Sequence, residues 1–141
     1  MTPDELIDAL SALRRALRHG SARPSELAAL TGAQLELVRL VRRSPGISVA
    51  EAATALRVAP NTVSTLVRTL TDRRVLVRRA DAHDRRIGRL ELAPGVWRKV
   101  EAWRDRRSDV LANGLAALSE GDRKKLAAAV PVLDKLAEEV R

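Results

Sequence analysis

Residues 58–92 read V-A-P-N-T-V-S-T-L-V-R-T-L-T-D-R-R-V-L-V-R-R-A-D-A-H-D-R-R-I-G-R-L-E-L, and two patterns meet there. In the first half, Val63, Leu66, Val67 and Leu70 stand at i, i+3, i+4 and i+7, one apolar stripe of a helix. The opposite face carries Asn61, Thr62, Ser64, Thr65 and Arg68, all short or forked hydrogen-bonding side chains. In the second half, two short β-prone runs flank a charged turn, which predicts a hairpin over 75–92. A helix buried on one side and rich in donors on the other, followed by an Arg-tipped hairpin, suits insertion into a DNA major groove with a wing beside it.

The chain upstream supplies a first helix for this motif. Ser44-Pro45-Gly46 breaks the chain, Ser48 and Glu51 form a capping box, and an Ala-rich helix over 49–56 follows. A turn at 57–59 then leads to Pro60 at the start of a helix over 60–73. Two short helices around a tight turn make a helix-turn-helix, although the Gly common in such turns is absent. Before them, Thr31 caps a helix over 33–43 that turns Leu37, Leu40 and Val41 inward, with Val38 toward the side.

The termini carry longer patterns. Thr2-Pro3-Asp4-Glu5 starts a helix whose Leu6, Leu10, Leu13 and Leu17 form a seam that needs a partner. After Ala93-Pro94-Gly95, a long helix over 96–117 holds Trp97, Val100, Trp103, Val110, Leu111 and Leu115. A last helix begins at Ser119 and sets Leu126, Val130, Leu133, Ala137 and Val140 at alternating steps of four and three, with a kink expected at Pro131. The architecture expected is mainly α with a small β-hairpin wing: a winged helix-turn-helix between N- and C-terminal dimerisation helices. Residues 1–30 would form the N-terminal platform helix, 31–95 the DNA-binding lobe and 96–141 the C-terminal dimerisation helices.

Composition agrees with this architecture. The 141 residues include no Phe, Tyr or Cys and only two Trp, so the core must be Leu, Val, Ile and Ala. Without cysteine there is no disulfide framework and no thiolate metal site. His19 and His83 are the only histidines and are not at ligand spacing, so no metal is expected. No apolar run reaches membrane length and no leader pattern opens the chain, which leaves the cytoplasm as the expected location and no membrane as a partner. The charge is uneven. Residues 57–107 hold 14 Lys/Arg against 6 Asp/Glu, while the rest holds 12 of each, so the whole excess of +8 sits on the segment suspected of touching DNA.

Over nearly its whole length the sequence resembles the MarR family of bacterial winged-helix regulators. The resemblance lies in L-T-G-A-Q-L-E-L-V-R-L at 30–40, V-A-P-N-T-V-S-T-L-V-R-T-L at 58–70 and D-A-H-D-R-R-I-G-R-L-E-L-A-P-G at 81–95. The last of these looks like the family's D-x-R wing followed by a strand and a helix start. The resemblance implies a homodimer whose terminal helices form a joint platform and whose winged lobes straddle a pseudo-palindrome. It also implies transcriptional control, usually repression, relieved by a small ligand. Two positions depart from the family pattern: Arg74 stands where Gly is frequent, and Ala93 where Thr is usual.

Thr62, Ser64, Thr65 and Arg68, with Asn61, are the residues expected against base edges or adjacent phosphates, because hydroxyls donate or accept and Arg grips guanine as a fork. Arg85 and Arg86 at the hairpin tip are expected at a minor groove, where narrow A·T stretches concentrate negative potential. Asp84 is expected to hold one of these guanidiniums, or Arg68; the D-x-R match gives that role to Asp84 with Arg86. Arg73, Arg78, Arg79 and Arg89 read as general field. An effector pocket is expected where the 33–43 helix, the wing-to-helix junction and the Trp-bearing helix meet. Arg39, Arg42, Trp97 and Trp103 there suit a phenolic or lipophilic anion. No set of side chains suits catalysis, and no cofactor motif is present.

The leading expectation is therefore a sequence-specific, double-stranded-DNA-binding transcriptional regulator. It would act as a homodimer and a ligand-responsive repressor on a pseudo-palindromic operator. Two other readings stand beside it: a low-specificity architectural DNA-binding protein, and a protein-interaction module that retains the winged-helix fold. An architectural binder has no need of a varied polar face, and an interaction module has no need to gather the charge excess there.

Overall fold

A computed structural model describes residues 1–140 and resolves two compact units, 22–104 and a second made of 1–21 with 105–141. The chain order is α1 (Pro3–Gly20), α2 (Ser25–Ala28), α3 (Gly32–Arg43), β1 (Ile47–Ser48), α4 (Val49–Leu56), α5 (Pro60–Asp72), β2 (Leu76–Ala80), β3 (Gly88–Leu92), α6 (Pro94–Ala116) and α7 (Glu120–Glu139). The fold is mainly helical with a small antiparallel sheet, the winged-helix architecture.

Helix starts follow the capping chemistry in the sequence. The Thr2, Thr31 and Ser48 hydroxyls accept from the backbone N–H three residues on, and Glu5, Gln34 and Glu51 return the bond to the cap N–H. Helix ends are less ordinary. Arg57 closes α4 with φ 55°, and Arg74, just past α5, has φ 58°. In both places the next N–H reaches five residues back, Val58 to the Ala53 carbonyl at 3.1 Å and Val75 to the Leu70 carbonyl at 2.8 Å. These are Schellman endings with arginine in the left-handed slot that usually takes glycine. The turn out of α5 thus keeps its tight geometry despite Arg74.

The sheet is larger than the hairpin expected from sequence. It has three strands in the order β1-β3-β2, with Ile47 opposite Leu90 and Ser48 opposite Arg89. A two-residue strand carries no readable period, so β1 shows itself only through its partner. In the hairpin, Leu76 faces Leu92, Arg78 faces Leu90 and Ala80 faces Gly88.

Within 22–104 the core is aliphatic throughout. Leu27, Leu37, Val41, Val63, Leu70, Val75, Leu76 and Leu90 are fully buried, and Trp103 packs against their edge. Val38 is buried too, not lateral, because α3 is covered on all but the face that carries Gly32, Ala33, Glu36, Arg39 and Arg43. The other unit is different in kind. Neither α1 nor α7 contains a buried residue, and Ile7, Leu10, Leu13, Leu126, Val130 and Leu133 are exposed. Helix α7 runs on through Pro131. Gly20 lies so close to Val110 that a Cβ would stand 2.9 Å from its methyls, so α1 and the distal half of α6 cross tightly there.

The left-handed arginines predict an unusual outcome for a glycine substitution. Relief of left-handed strain, about 1–2 kcal/mol, outweighs the roughly 0.5–1 kcal/mol of extra chain entropy that glycine loses. Arg74→Gly should leave the chain unchanged or up to about 1 kcal/mol more stable in urea unfolding, whereas Arg74→Val should cost at least about 1 kcal/mol. A clearly destabilised Arg74→Gly would contradict the left-handed closure of α5.

Candidate nucleic-acid interface

Helix α5 is the element on which the interface is built. Pro60 occupies its first position, where a missing N–H costs nothing. Val63, Val67 and Leu70 are buried and Leu66 is half-buried, which fixes the rotation of the helix about its own axis. Asn61, Thr62, Ser64, Thr65 and Arg68 are consequently all exposed on the other side. The Thr65 hydroxyl donates to the Asn61 carbonyl at 3.1 Å, so its oxygen remains available as an acceptor. Arg68 forms no ion pair among the described residues, so its fork of five N–H donors is uncommitted.

The wing tip is ordered by two aspartates. Asp81 accepts from the backbone N–H groups of His83 and Asp84 at 3.0 and 2.9 Å, an Asx-type turn. The Asp84 carbonyl receives the Ile87 N–H, and the Ile87 carbonyl receives that of Asp81, which closes the loop. Asp84 then grips Arg86 as a fork, Oδ1 to Nε and Oδ2 to Nη2 both at 3.1 Å, with the Arg86 backbone N–H also on Oδ1. The Arg86 side chain is nevertheless 91% exposed, so the pair directs a guanidinium into solvent without hiding it. Arg85 beside it is exposed and makes no ion pair among the described residues.

One residue read from sequence as general field has a definite structural role. Arg89 donates to Asp81 at 2.9 Å, to the Gly46 carbonyl at 3.4 Å and to Glu51 at 3.3 Å. Glu51 already receives the Ser48 N–H on its other oxygen, so a single carboxylate caps α4 and anchors the wing to it. The Asx spacing of Asp81 was a usable sequence signal, whereas the Arg89 contacts follow from the β1–β3 register that puts Ser48 opposite it.

Electrostatics leave this surface positive. Arg79 takes up Glu91 at 3.0 Å, and Asp81 and Asp84 are taken up by Arg89 and Arg86. Both aspartates are held below the usual carboxylate range, Asp81 chiefly by the Arg89 hydrogen bond and Asp84 chiefly by the Arg86 hydrogen bond. Arg57, Arg68, Arg74, Arg78 and Arg85 have no acidic partner among the described residues. Arg78 lies across Gly88, where a Cβ would sit 1.8 Å from its Nε, so the glycine makes room for that side chain.

Of the four residues expected in an effector pocket, Trp97 lines a pocket of which Arg39, Arg42 and Trp103 are not part. Arg42 pairs with Glu101 at 3.2 Å, Arg39 is exposed on α3, and Trp103 packs on the core. Trp97 is exposed and lines an open pocket of about 400 Å³ with Pro45, Glu91, Leu92, Pro94 and Arg98.

Comparison with known proteins agrees with the geometry. Residues 30–87, from the start of α3 to the wing tip, match the model of the MarR family. No curated protein matches the chain. A MarR-like transcriptional regulator from Thermotoga maritima superposes with a TM-score of 0.83 at 20% identity, over 98% of each chain. FabT of Streptococcus pneumoniae, in complex with DNA, gives 0.72 at 15% identity over 98% of this chain and 94% of its own. MepR of Staphylococcus aureus, bound to ethidium bromide, gives 0.65 at 21% identity over 100% of this chain and 98% of its own. At these identities the likeness is one of fold.

The aspartates set a pH window for the wing. Because their folded values are depressed, their contribution is present above the ordinary carboxylate value and is lost as pH falls through the lowered folded one. Carboxyl NMR titration should place both midpoints below 3.8, with the Arg86 and Arg89 Nε–H signals losing protection over the same interval. Midpoints at or above that value would mean that the two ion pairs do not form in solution.

Proposed function

We propose that this chain, which belongs to the MarR family, binds double-stranded DNA sequence-specifically as a homodimeric transcriptional regulator, and that it is a ligand-responsive repressor of a pseudo-palindromic operator. The family is one of transcription regulators rather than enzymes. The observation that carries the DNA reading is the division of α5. Its inward side is sealed in the core, and its outward side offers Asn61, Thr62, Ser64, Thr65 and Arg68 with nothing over them.

In this reading the α5 face enters the major groove, where hydroxyls and the Arg68 fork can read base edges. The wing lies beside it, with Asp84 presenting Arg86, and Arg85 adjacent, to the minor groove or its rim. The Asp84–Arg86 pair lowers the entropy lost on binding, because the guanidinium is already directed. The DNA-bound fold of FabT supports the same assignment, as does the concentration of positive charge between 57 and 107.

The dimer rests on the termini. Residues 1–30 and 96–141 are assigned to a dimerisation platform, and 31–95 to the DNA-binding lobe. A 20-residue helix with no buried residue and a row of exposed Leu and Val leaves its apolar face in water unless something covers it. A second copy satisfies that need and gives the two-fold symmetry of a palindromic site. Ligand response is supported by the likeness to MepR bound to ethidium bromide and by the exposed Trp97 pocket. The site of action is the cytoplasm, where the DNA is; no helix among the described residues is long and apolar enough to cross a membrane.

Selection of genomic fragments by the purified chain at two salt concentrations tests the class, and one enriched palindrome is the expected result. On that site Arg86→Ala should weaken binding by roughly 1–3 kcal/mol and lower the salt slope by about one. Arg68→Ala should relax base preference at a defined position of each half-site, and equal affinity for all fragments would instead favour an architectural protein. Sedimentation should give a dimer at micromolar concentration, converted to monomer by Leu13→Glu with Leu133→Glu. A folded wild-type monomer under those conditions would remove the platform assignment.

A further inference from the structure

We infer that Arg57, in the turn between α4 and α5, is a phosphate-binding residue that seats α5 in the major groove. The inference rests on the DNA-binding reading above and adds a contact that neither the face of α5 nor the wing supplies.

The helix-turn-helix has almost no charge of its own to offer a phosphate. Between Glu51 and Arg68 the chain carries a single charged side chain, that of Arg57. Its neighbours Val58, Ala59 and Pro60 are exposed and apolar, and the exposed residues of α5 from Asn61 to Thr65 are neutral. Arg57 is not spent on holding the fold. It is exposed and has no acidic partner among the described residues. Glu51, the acid nearest to it in sequence, is held by Arg89 at 3.3 Å and caps α4. An uncommitted guanidinium thus stands at the start of the helix whose first turns meet base edges in this mode of docking. Phosphate neutralisation supplies a large share of affinity for a duplex, and a guanidinium takes two phosphate oxygens at once.

The backbone makes an arginine costly to keep at this position. At φ 55° a glycine would close α4 without strain, and the bond from the Val58 N–H to the Ala53 carbonyl would survive the change. Left-handed residues other than glycine cluster at binding sites, where the use of the side chain outweighs the strain. Strain does not choose between the two left-handed arginines, because Arg74 has φ 58° and is likewise exposed. Position does. Arg57 precedes the first residue of α5 by three, whereas Arg74 follows the last by two, at the other end of a helix of 13 residues. At about 1.5 Å per residue, the length of α5 separates the two by roughly 20 Å. The far end of α5 lies beside α2, where Arg73 donates to the Ala29 carbonyl at 3.5 Å. Arg74 is therefore the internal control: the same residue type in the same conformation, away from the groove-reading end.

The test measures affinity by fluorescence anisotropy over a series of salt concentrations. The probes are the fragment that genomic selection enriches and a scrambled duplex of equal length. Arg57→Gly should raise Kd about fivefold or more on both duplexes, as expected for a lost charge-assisted contact, and leave their ratio unchanged. The salt slope should fall by about one for each lobe bound. Urea unfolding should find Arg57→Gly as stable as the wild type or more so, which separates binding from folding. Arg57→Asn, neutral and also tolerant of the left-handed slot, should lose the same affinity, while Arg57→Lys should keep the slope. Arg74→Gly should bind as the wild type does. On enriched fragments carrying a single methylphosphonate, at least one position should weaken the wild type without weakening Arg57→Gly. Unchanged affinity and slope in Arg57→Gly, or an equal loss in Arg74→Gly, would overturn the contact while the DNA reading stands. A wild type that binds neither duplex overturns both.

Discussion

The burial of Val63, Val67 and Leu70 on one side of α5 is the constraint from which the rest of the interface follows. Each such side chain contributes roughly 1.5–3 kcal/mol on leaving water, so rotating the helix would forfeit more than any surface contact could return. The hydroxyl face is thereby fixed outward at no cost to folding. Since none of those polar side chains is needed to hold the fold, their chemistry is free to be set by what they touch. An Ala-rich α4, with Ala52 and Ala53 buried, lets α5 approach closely, and the sheet closes the other side through Leu76 and Leu90.

The wing depends on a second, electrostatic anchor. Arg89 connects the Asx turn at Asp81 with the Gly46 carbonyl and Glu51, at the point where β1 passes into α4. A hairpin with a charged tip is marginal alone in water, and apart from Arg89 this one is held to the lobe by the short β1–β3 pairing and the buried Leu76, Leu90 and Leu92 at its base, far from the tip. By sharing Glu51 with the cap of α4, the wing is fixed in direction to the helix-turn-helix it accompanies. The Asp84–Arg86 fork adds the last step, placing one guanidinium at the end of an otherwise backbone-bonded loop.

Much of this was legible in the residues, and the limits have physical causes. Helices α3, α4, α5, α6 and α7 and the hairpin follow from periodicity and capping boxes, which are local signals. Strand β1 was not legible, because two residues have no period and its existence lies in a partner over forty positions away. The left-handed endings at Arg57 and Arg74 were hidden since the expected mark, glycine, is missing. Val38 was misplaced because α3 is enclosed on more of its circumference than a single amphipathic stripe implies. The exposed α5 face could be read directly. The role of Arg89 could not, since five arginines crowd the hairpin with identical chemistry and only the strand register separates a clamp from a free cation. Likewise nothing near Arg42 in sequence announces Glu101.

The two units differ in how their stability is secured, and that difference bears on function. The 22–104 unit encloses a dense aliphatic core and keeps its polar faces outward. The unit of 1–21 with 105–141 has helices with capped starts, a tight crossing at Gly20 and Val110, and an Arg123 guanidinium bonded to the carbonyls at the end of α6. Yet α1 and α7 contain no fully buried residue, so their apolar side chains are only partly covered in a lone chain. Helices of this length gain most of their stability from tertiary packing and little from propensity. The helical state of α7 in particular, with Pro131 removing one hydrogen bond and an exposed row of Leu and Val, therefore argues for a covering partner more strongly than the heptad pattern alone. If a second copy covers those faces, as proposed, stability and assembly are one equilibrium, and the folded termini should be populated only to the extent that the partner is bound.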